Sequence, residues 1–134
     1  MSTIQAASLL VGTTISATGG TATSLISKGD TLEQHNTALD DGSSLAEQTE
    51  INFTIKQPKV NVSSPAGYTQ ARNVVVISSP KTLANLAVTK NSCRIEFSFD
   101  RETTDAEKAT MRELAAQAII DTDFVSFWNS QSVS

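Results

Sequence analysis

The chain has 134 residues, 39% of them hydrophobic and 5% aromatic, with a net charge of −4 and a pI near 4.8. That length fits one domain or one protomer of something larger, and so thin an apolar content is expected to need partner surface to complete its core. The acidic balance excludes a nucleic-acid protein that works by bulk charge, though not one with a local basic patch.

A single cysteine, Cys93, cannot form an internal disulfide, and with only His35 beside it in the composition a Cys/His metal site is not expected. The stretch "MSTIQAASLLVGTTISATGG" lacks a basic region and its apolar run is broken by threonines, so it reads poorly as a signal peptide. No segment is long enough to span a bilayer, and the expectation is a soluble, cytosolic, reduced protein. The sequons Asn52-Phe53-Thr54 and Asn61-Val62-Ser63 are then chance matches.

In chain order, "SLLVGTTISATGGTATSLIS" carries β-branched residues on both sides of Gly19-Gly20. That pattern predicts a hairpin, the alternative being an unstructured Ser/Thr-rich leader. "TLEQHNTALD" (31–40) is a weaker strand closed by the turn signal "DDGSS". Ile51, Phe53 and Ile55 alternate with Glu50, Asn52, Thr54 and Lys56, the pattern of a half-buried strand. "SSPAGY" is a loop. "ARNVVVISSP" is a strand that Pro80, which cannot donate to the ladder, is expected to end. "KTLANLAVTK" suits strand or helix by period; hairpin context favours strand, with the turn at Thr89 to Ser92. "SCRIEFSFD" is the last strand, with Ile95, Phe97 and Phe99 on one side and Arg94, Glu96 and Ser98 on the other. Six or seven strands joined by short connections make an antiparallel meander.

After "DRET" the period changes to that of a helix. Thr104 and Glu107 have capping-box spacing, and Asp105 places negative charge at the positive end of the helix dipole. Met111, Leu114, Ala115, Ala118 and Ile119 form one apolar stripe, with Lys108, Arg112, Glu113 and Gln117 on the other side. A second short helix starting near Asp121 to Asp123 carries Phe124, Val125, Phe127 and Trp128. So apolar a tail either packs on its own sheet or meets another subunit. The fold class is α+β, a single domain over 1–134 with a hairpin over 1–30, a sheet over 31–100 and helices over 104–130.

One face of the sheet is thus Ile/Phe-rich, and Cys93 falls on it as a small hydrophobe expected to be buried. The other face carries Asn52, Thr54, Lys56, Lys90, Ser92, Arg94 and Ser98. It is either merely solvated or a platform for single-stranded or looped RNA, and it is too flat for a small-molecule substrate. His35 has no triad partners, and the sequence contains no G-x-S-x-G elbow, no H-E-x-x-H and no Gly-rich loop of phosphate-binding spacing. An enzyme is not expected, nor a cofactor or a metal.

"RIEFSFDRETTDAEKATMRELAAQAIIDTDF", residues 94–124, resembles the final strand and the following helix of the coat proteins of single-stranded RNA bacteriophages, the levivirus group. The matching features are a "[ST]-D" helix start and an R-x-E-L-A-A-like run. "INFTIKQP" (51–58) is similar to that family's strand with a basic-Gln pair near its end, and "VVVISSPK" to the next strand, ending in Pro. The resemblance implies an N-terminal hairpin, a five-stranded sheet and two helices. It implies further that two sheets join edge to edge in an intertwined homodimer with a continuous ten-stranded sheet. Met111, Leu114, Ala118, Ile119, Phe124, Phe127 and Trp128 would form the dimer interface as the helices cross the partner's sheet. Dimers would self-assemble in the host bacterial cytoplasm into a T=3 icosahedral virion shell around single-stranded genomic RNA. An RNA hairpin bound on the inner face would repress replicase translation. The family's RNA-facing positions fall on Asn52, Thr54 and Lys56, on Arg72, Val74 and Val76, and on Lys90, Ser92 and Arg94.

There are departures: Lys90 stands where some members have a base-stacking tyrosine, Val74 and Val76 replace polar residues, and Pro80 to Phe97 is shorter than in the best-known members. Two other readings remain on the residues alone. One is a cytosolic β-rich adaptor that binds a protein at its sheet edge; the other is a tail, fibre or pilus subunit, suggested by the Ser/Thr-rich front end.

Overall fold

The structure, a computed structural model, describes residues 7–44, 47–65 and 67–131. It contains strands β1 (Leu25–Asp30), β2 (Gln34–Leu39), β3 (Glu50–Lys56), β4 (Ala71–Thr82) and β5 (Val88–Phe99). They form one antiparallel sheet in the order β1-β2-β3-β4-β5. Helix α1 (Asp105–Ile120), a 3-10 turn over Thr122–Phe124 and helix α2 (Val125–Ser130) follow. The chain divides into two units, Gly20–Glu102 holding the sheet, and Met1–Gly19 with Thr103–Ser134 holding the helices.

Within the sheet unit the meander expected from the short connections is present, with five strands rather than six or seven. β4 and β5 are its longest pair, in register from Ala71 opposite Phe99 to Thr82 opposite Val88. Their turn lies at Leu83 to Ala87, not at Thr89 to Ser92, which is inside β5. The Leu83 N–H donates to the Ala87 carbonyl at 2.8 Å and the Leu86 N–H to the Leu83 carbonyl at 2.9 Å. This closure puts Leu86 in the left-handed region at φ 68°. Pro80 does not end β4. The β3 ladder stops at Glu50 opposite Ser78, so Pro80 lies where β4 is flanked by β5 alone and a missing N–H is tolerated.

The hairpin expected about Gly19-Gly20 does not form. Residues 7–24 contain no strand, and residues 1–6 lie outside the described residues. Both glycines do take the positive φ foreseen for a turn, 77° and 73°, but the flanking segments form no ladder. The first hairpin is instead β1–β2, so the sheet begins at Leu25 rather than near residue 31. The register slips between Ser27 and Asp30, where Gly29 has φ 119°. A bulge on an edge strand bends it away from foreign strands. In the turn after β2, the Ser43 hydroxyl and N–H donate to the Asp41 carboxylate and hold its pKa below the usual value.

In the helical unit the capping box forms as read. The Glu107 N–H donates to Thr104 Oγ1 at 3.2 Å and the Thr104 N–H to Glu107 Oε1 at 3.3 Å. Gln117, expected on the outer side, is the buried residue of α1. Its Nε2 donates to the Leu10 carbonyl at 2.9 Å, and its Oε1 accepts from the Leu10 N–H at 2.8 Å. One amide thus satisfies both polar groups of one backbone residue, as a neighbouring β-strand would. The tail turns back on α1, with the Trp128 indole N–H donating to the Ala118 carbonyl at 2.8 Å.

Very little is buried. Among the described residues the buried hydrophobic side chains are Ala38, at 0% exposure, and Phe99, at 6%.

Candidate nucleic-acid interface

Residues opposite one another in an antiparallel ladder share a face, so the register alone sorts the sheet. Asn52, Val76 and Arg94 form one row; Thr54, Val74 and Glu96 the next; Lys56, Arg72 and Ser98 the third. Ser92 lies opposite Ser78 and Lys90 opposite Pro80 on the same face. All nine positions carried over from the family therefore lie on one face, across β3, β4 and β5. Asn36 and Gln34 of β2 extend it, opposite Asn52 and Thr54.

The face is less basic than its arginines suggest. Glu96 lies 3.4 Å from Arg94 Nη2 and 4.0 Å from Arg72 Nη1, so one carboxylate serves two guanidinium groups. Glu50 likewise meets Lys28 Nζ at 3.5 Å. Such exposed pairs contribute about 0–1 kcal/mol each to stability, but they lower the local potential. Among ladder residues the face still sets Lys56, Arg72, Lys90 and Arg94 against Glu50 and Glu96, a positive surface on an acidic chain. The alternation of β5 already places Glu96 beside Arg94; its reach to Arg72 depends on the β4 register. Val74 and Val76 are half-buried in the middle of the face and give it an apolar strip between polar flanks.

The opposite face carries Ile51, Ile77 and Cys93 in one row, Phe53, Val75 and Ile95 in the next, and Ile55, Asn73 and Phe97 in the third. Phe97 stacks on Phe99, centroids 5.7 Å apart. Phe53 and Ile55 are 37% and 38% exposed. Cys93, expected to be buried, is exposed, because β5 is an edge strand and only Ile77 stands beside it in the ladder. The stripe of α1 is open too. Met111 is 52% exposed and Ile119 is exposed, while Leu114 and Ala118 are half-buried. In the tail Phe124 is half-buried, and Phe127 and Trp128 are exposed and packed edge to face at 4.7 Å.

Among the described residues there is no group of three or more His, Cys, Asp or Glu that could hold a metal ion. No described helix is long and apolar enough to cross a membrane.

A five-stranded antiparallel meander, polar on one side and apolar on the other and followed by a capped helix and a short tail helix, is the fold of a levi-like RNA-phage coat protein, a structural class and not an enzymatic one. The chain is similar to the protein of the virus-like particle of bacteriophage GQ-907, with a TM-score of 0.87 and 25% identity over 98% of this chain and 100% of that one. The same fold recurs in the virus-like particle of Beihai levi-like virus 32, at a TM-score of 0.71 and 13% identity, covering 86% of this chain and 91% of that one. It recurs again in the particle of bacteriophage AVE019, at 0.69 and 8% identity over 87% and 92% of the two chains. No protein-family model matches the chain, and no curated protein does.

Proposed function

We propose that the chain is the capsid subunit of a single-stranded RNA phage, its two units acting as one coat-protein domain. Two copies pair along the outer edge of β5 and lay α1 and α2 over each other's apolar sheet face. The observation that carries this reading is the pairing of two half-covered surfaces, the Ile/Phe face of the sheet and the Met111–Ile119 stripe, with a fold in which, among the described residues, only Ala38 and Phe99 are buried apolar side chains. The outer edge of β5 has no strand beside it among the described residues, and it runs for twelve residues. Each 100 Å² of apolar surface covered contributes about 2.5 kcal/mol, so covering both surfaces turns a thin fold into a stable one. The likeness to particle proteins over the full length supports the same conclusion.

Dimers then close into an icosahedral shell, the virion, assembled in the host bacterial cytoplasm, with the polar face toward the RNA. The same face would hold an RNA hairpin for repression of replicase translation. Four cations with amide and hydroxyl neighbours suit phosphates and looped bases, and the open surface suits a strand better than a small molecule.

Size-exclusion chromatography with electron microscopy of the purified protein tests the reading, with dimers and closed shells expected. Phe97→Asp is expected to abolish both. Monomers or filaments from the unaltered chain, or shells from the variant, would remove it.

A further inference from the structure

We infer that the open concavity beside the Lys56–Arg72–Ser98 row is a nucleotide pocket, taking one phosphate and one base of single-stranded RNA. This rests on the reading of the polar face as an RNA platform, and adds to it a site that none of the nine ladder positions describes by itself.

The connection from β3 to β4, residues 57–70, is far longer than a hairpin turn requires. It is built as a small arm. The Lys59 N–H donates to Thr69 Oγ1 at 2.8 Å, and the Thr69 N–H to the Lys59 carbonyl at 2.7 Å. Further out, Val60 pairs with Tyr68, and the Asn61 N–H donates to the Gly67 carbonyl at 2.8 Å. Between this arm and the end of the sheet lies a concavity of about 600 Å³, within the range of small-ligand sites. Lys56, Lys59 and Arg72 supply three cations to its wall, Glu33 and Asp100 two carboxylates, and Tyr68 an aromatic ring.

The Tyr68 ring is held in place. The Arg101 guanidinium sits 4.0 Å from its centroid, a cation–π contact that restrains the ring, and Arg101 itself is not part of the wall. Cations for a phosphate and a fixed ring for a base are the two parts from which single-strand sites are made. The carboxylates add acceptors for the amino groups of bases. Lys56 and Arg72 belong to both the concavity and the polar face, so a strand lying on the face runs into the pocket without a break.

The test uses the purified full chain and a fluorescent oligoadenylate of about ten nucleotides, read by anisotropy, with ultraviolet crosslinking mapped by mass spectrometry. Tyr68→Ala is expected to weaken binding about tenfold and Tyr68→Phe to leave it unchanged. Lys59→Gln should reduce the slope of log affinity against log salt by about one, and crosslinks should map to Tyr68. Thermal melts by circular dichroism confirm that each variant is folded. If Tyr68→Ala and Lys59→Gln bind as the unaltered chain does while Arg94→Glu loosens, the pocket is wrong and the platform stands. If the two pocket variants loosen and Arg94→Glu does not, the pocket stands and the platform is wrong; if none changes, both fall. Displacement of the oligonucleotide by adenosine monophosphate at matching affinity would make this a site for free nucleotides and overturn the assignment to a strand.

Discussion

Gln117 shows how one side chain can anchor a segment that has no ladder of its own. Its amide occupies the N–H and the carbonyl of Leu10, so Gln117→Leu would break both bonds and leave these groups, on a residue 67% exposed, to water. The expected cost is about 0.5–1.5 kcal/mol, read as a lower midpoint in urea unfolding. Thr104→Ala removes the helix cap and should cost about 1 kcal/mol by the same measurement. The two residues differ sharply in how far the sequence reveals them. The cap is written within four consecutive residues and reads directly. Gln117 bonds to a residue 107 positions away through backbone atoms, which carry no side-chain pattern, so periodicity places it with Arg112 and Glu113 on the solvent side.

At the level of strands and helices, alternation is legible wherever one face is apolar and the other is not. β3 could therefore be placed almost to the residue, and so could the end of β5 at Phe99, though β5 starts at Val88, before the Thr89 to Ser92 stretch where the sequence suggests a turn; with them comes the shared face of Asn52, Thr54, Lys56 and Arg94. The run Val74–Ile77 hides its own alternation, so Val74 and Val76 are placed on the polar side by the family resemblance and by the register, not by their own pattern. Gly19-Gly20 and Pro80 misled for a related reason. Turn and breaker residues act through what lies beside them, and neither the missing ladder before residue 25 nor the early end of β3 is a local property. Glu96 offers a test at this scale. Glu96→Gln frees Arg72 and Arg94 together, so on the proposed RNA platform binding should tighten and its salt dependence steepen by about one to two in log–log slope. Filter binding at several salt concentrations reads both quantities.

For the whole molecule, the governing fact is that surfaces normally hidden are only half covered in the single chain: the Ile/Phe face with Phe53 and Ile55 exposed, the α1 stripe with Met111 and Ile119 exposed, and the tail with Phe127 and Trp128 exposed. The dimer proposed above would tie the stability of the fold to protein concentration. The thermal midpoint is accordingly expected to rise when the protein is concentrated, in scans by differential calorimetry. Met111→Asp should remove that dependence together with the dimer, while the capped helix persists. The one-sidedness of the strands foreshadows this state in the sequence, because an Ile/Phe row needs a cover. Which surface provides the cover is written in no single segment, and in the proposed dimer it would come from a second chain.

Trp128 is the only tryptophan of the sequence. Its indole is pinned to the Ala118 carbonyl, wedged against Phe127, and still 53% open to water. Indole emission moves to shorter wavelength when water leaves the ring. The polypeptide thus carries its own optical gauge at the tail helix, with which a fluorometer can test the proposed union of two copies in real time with no dye attached.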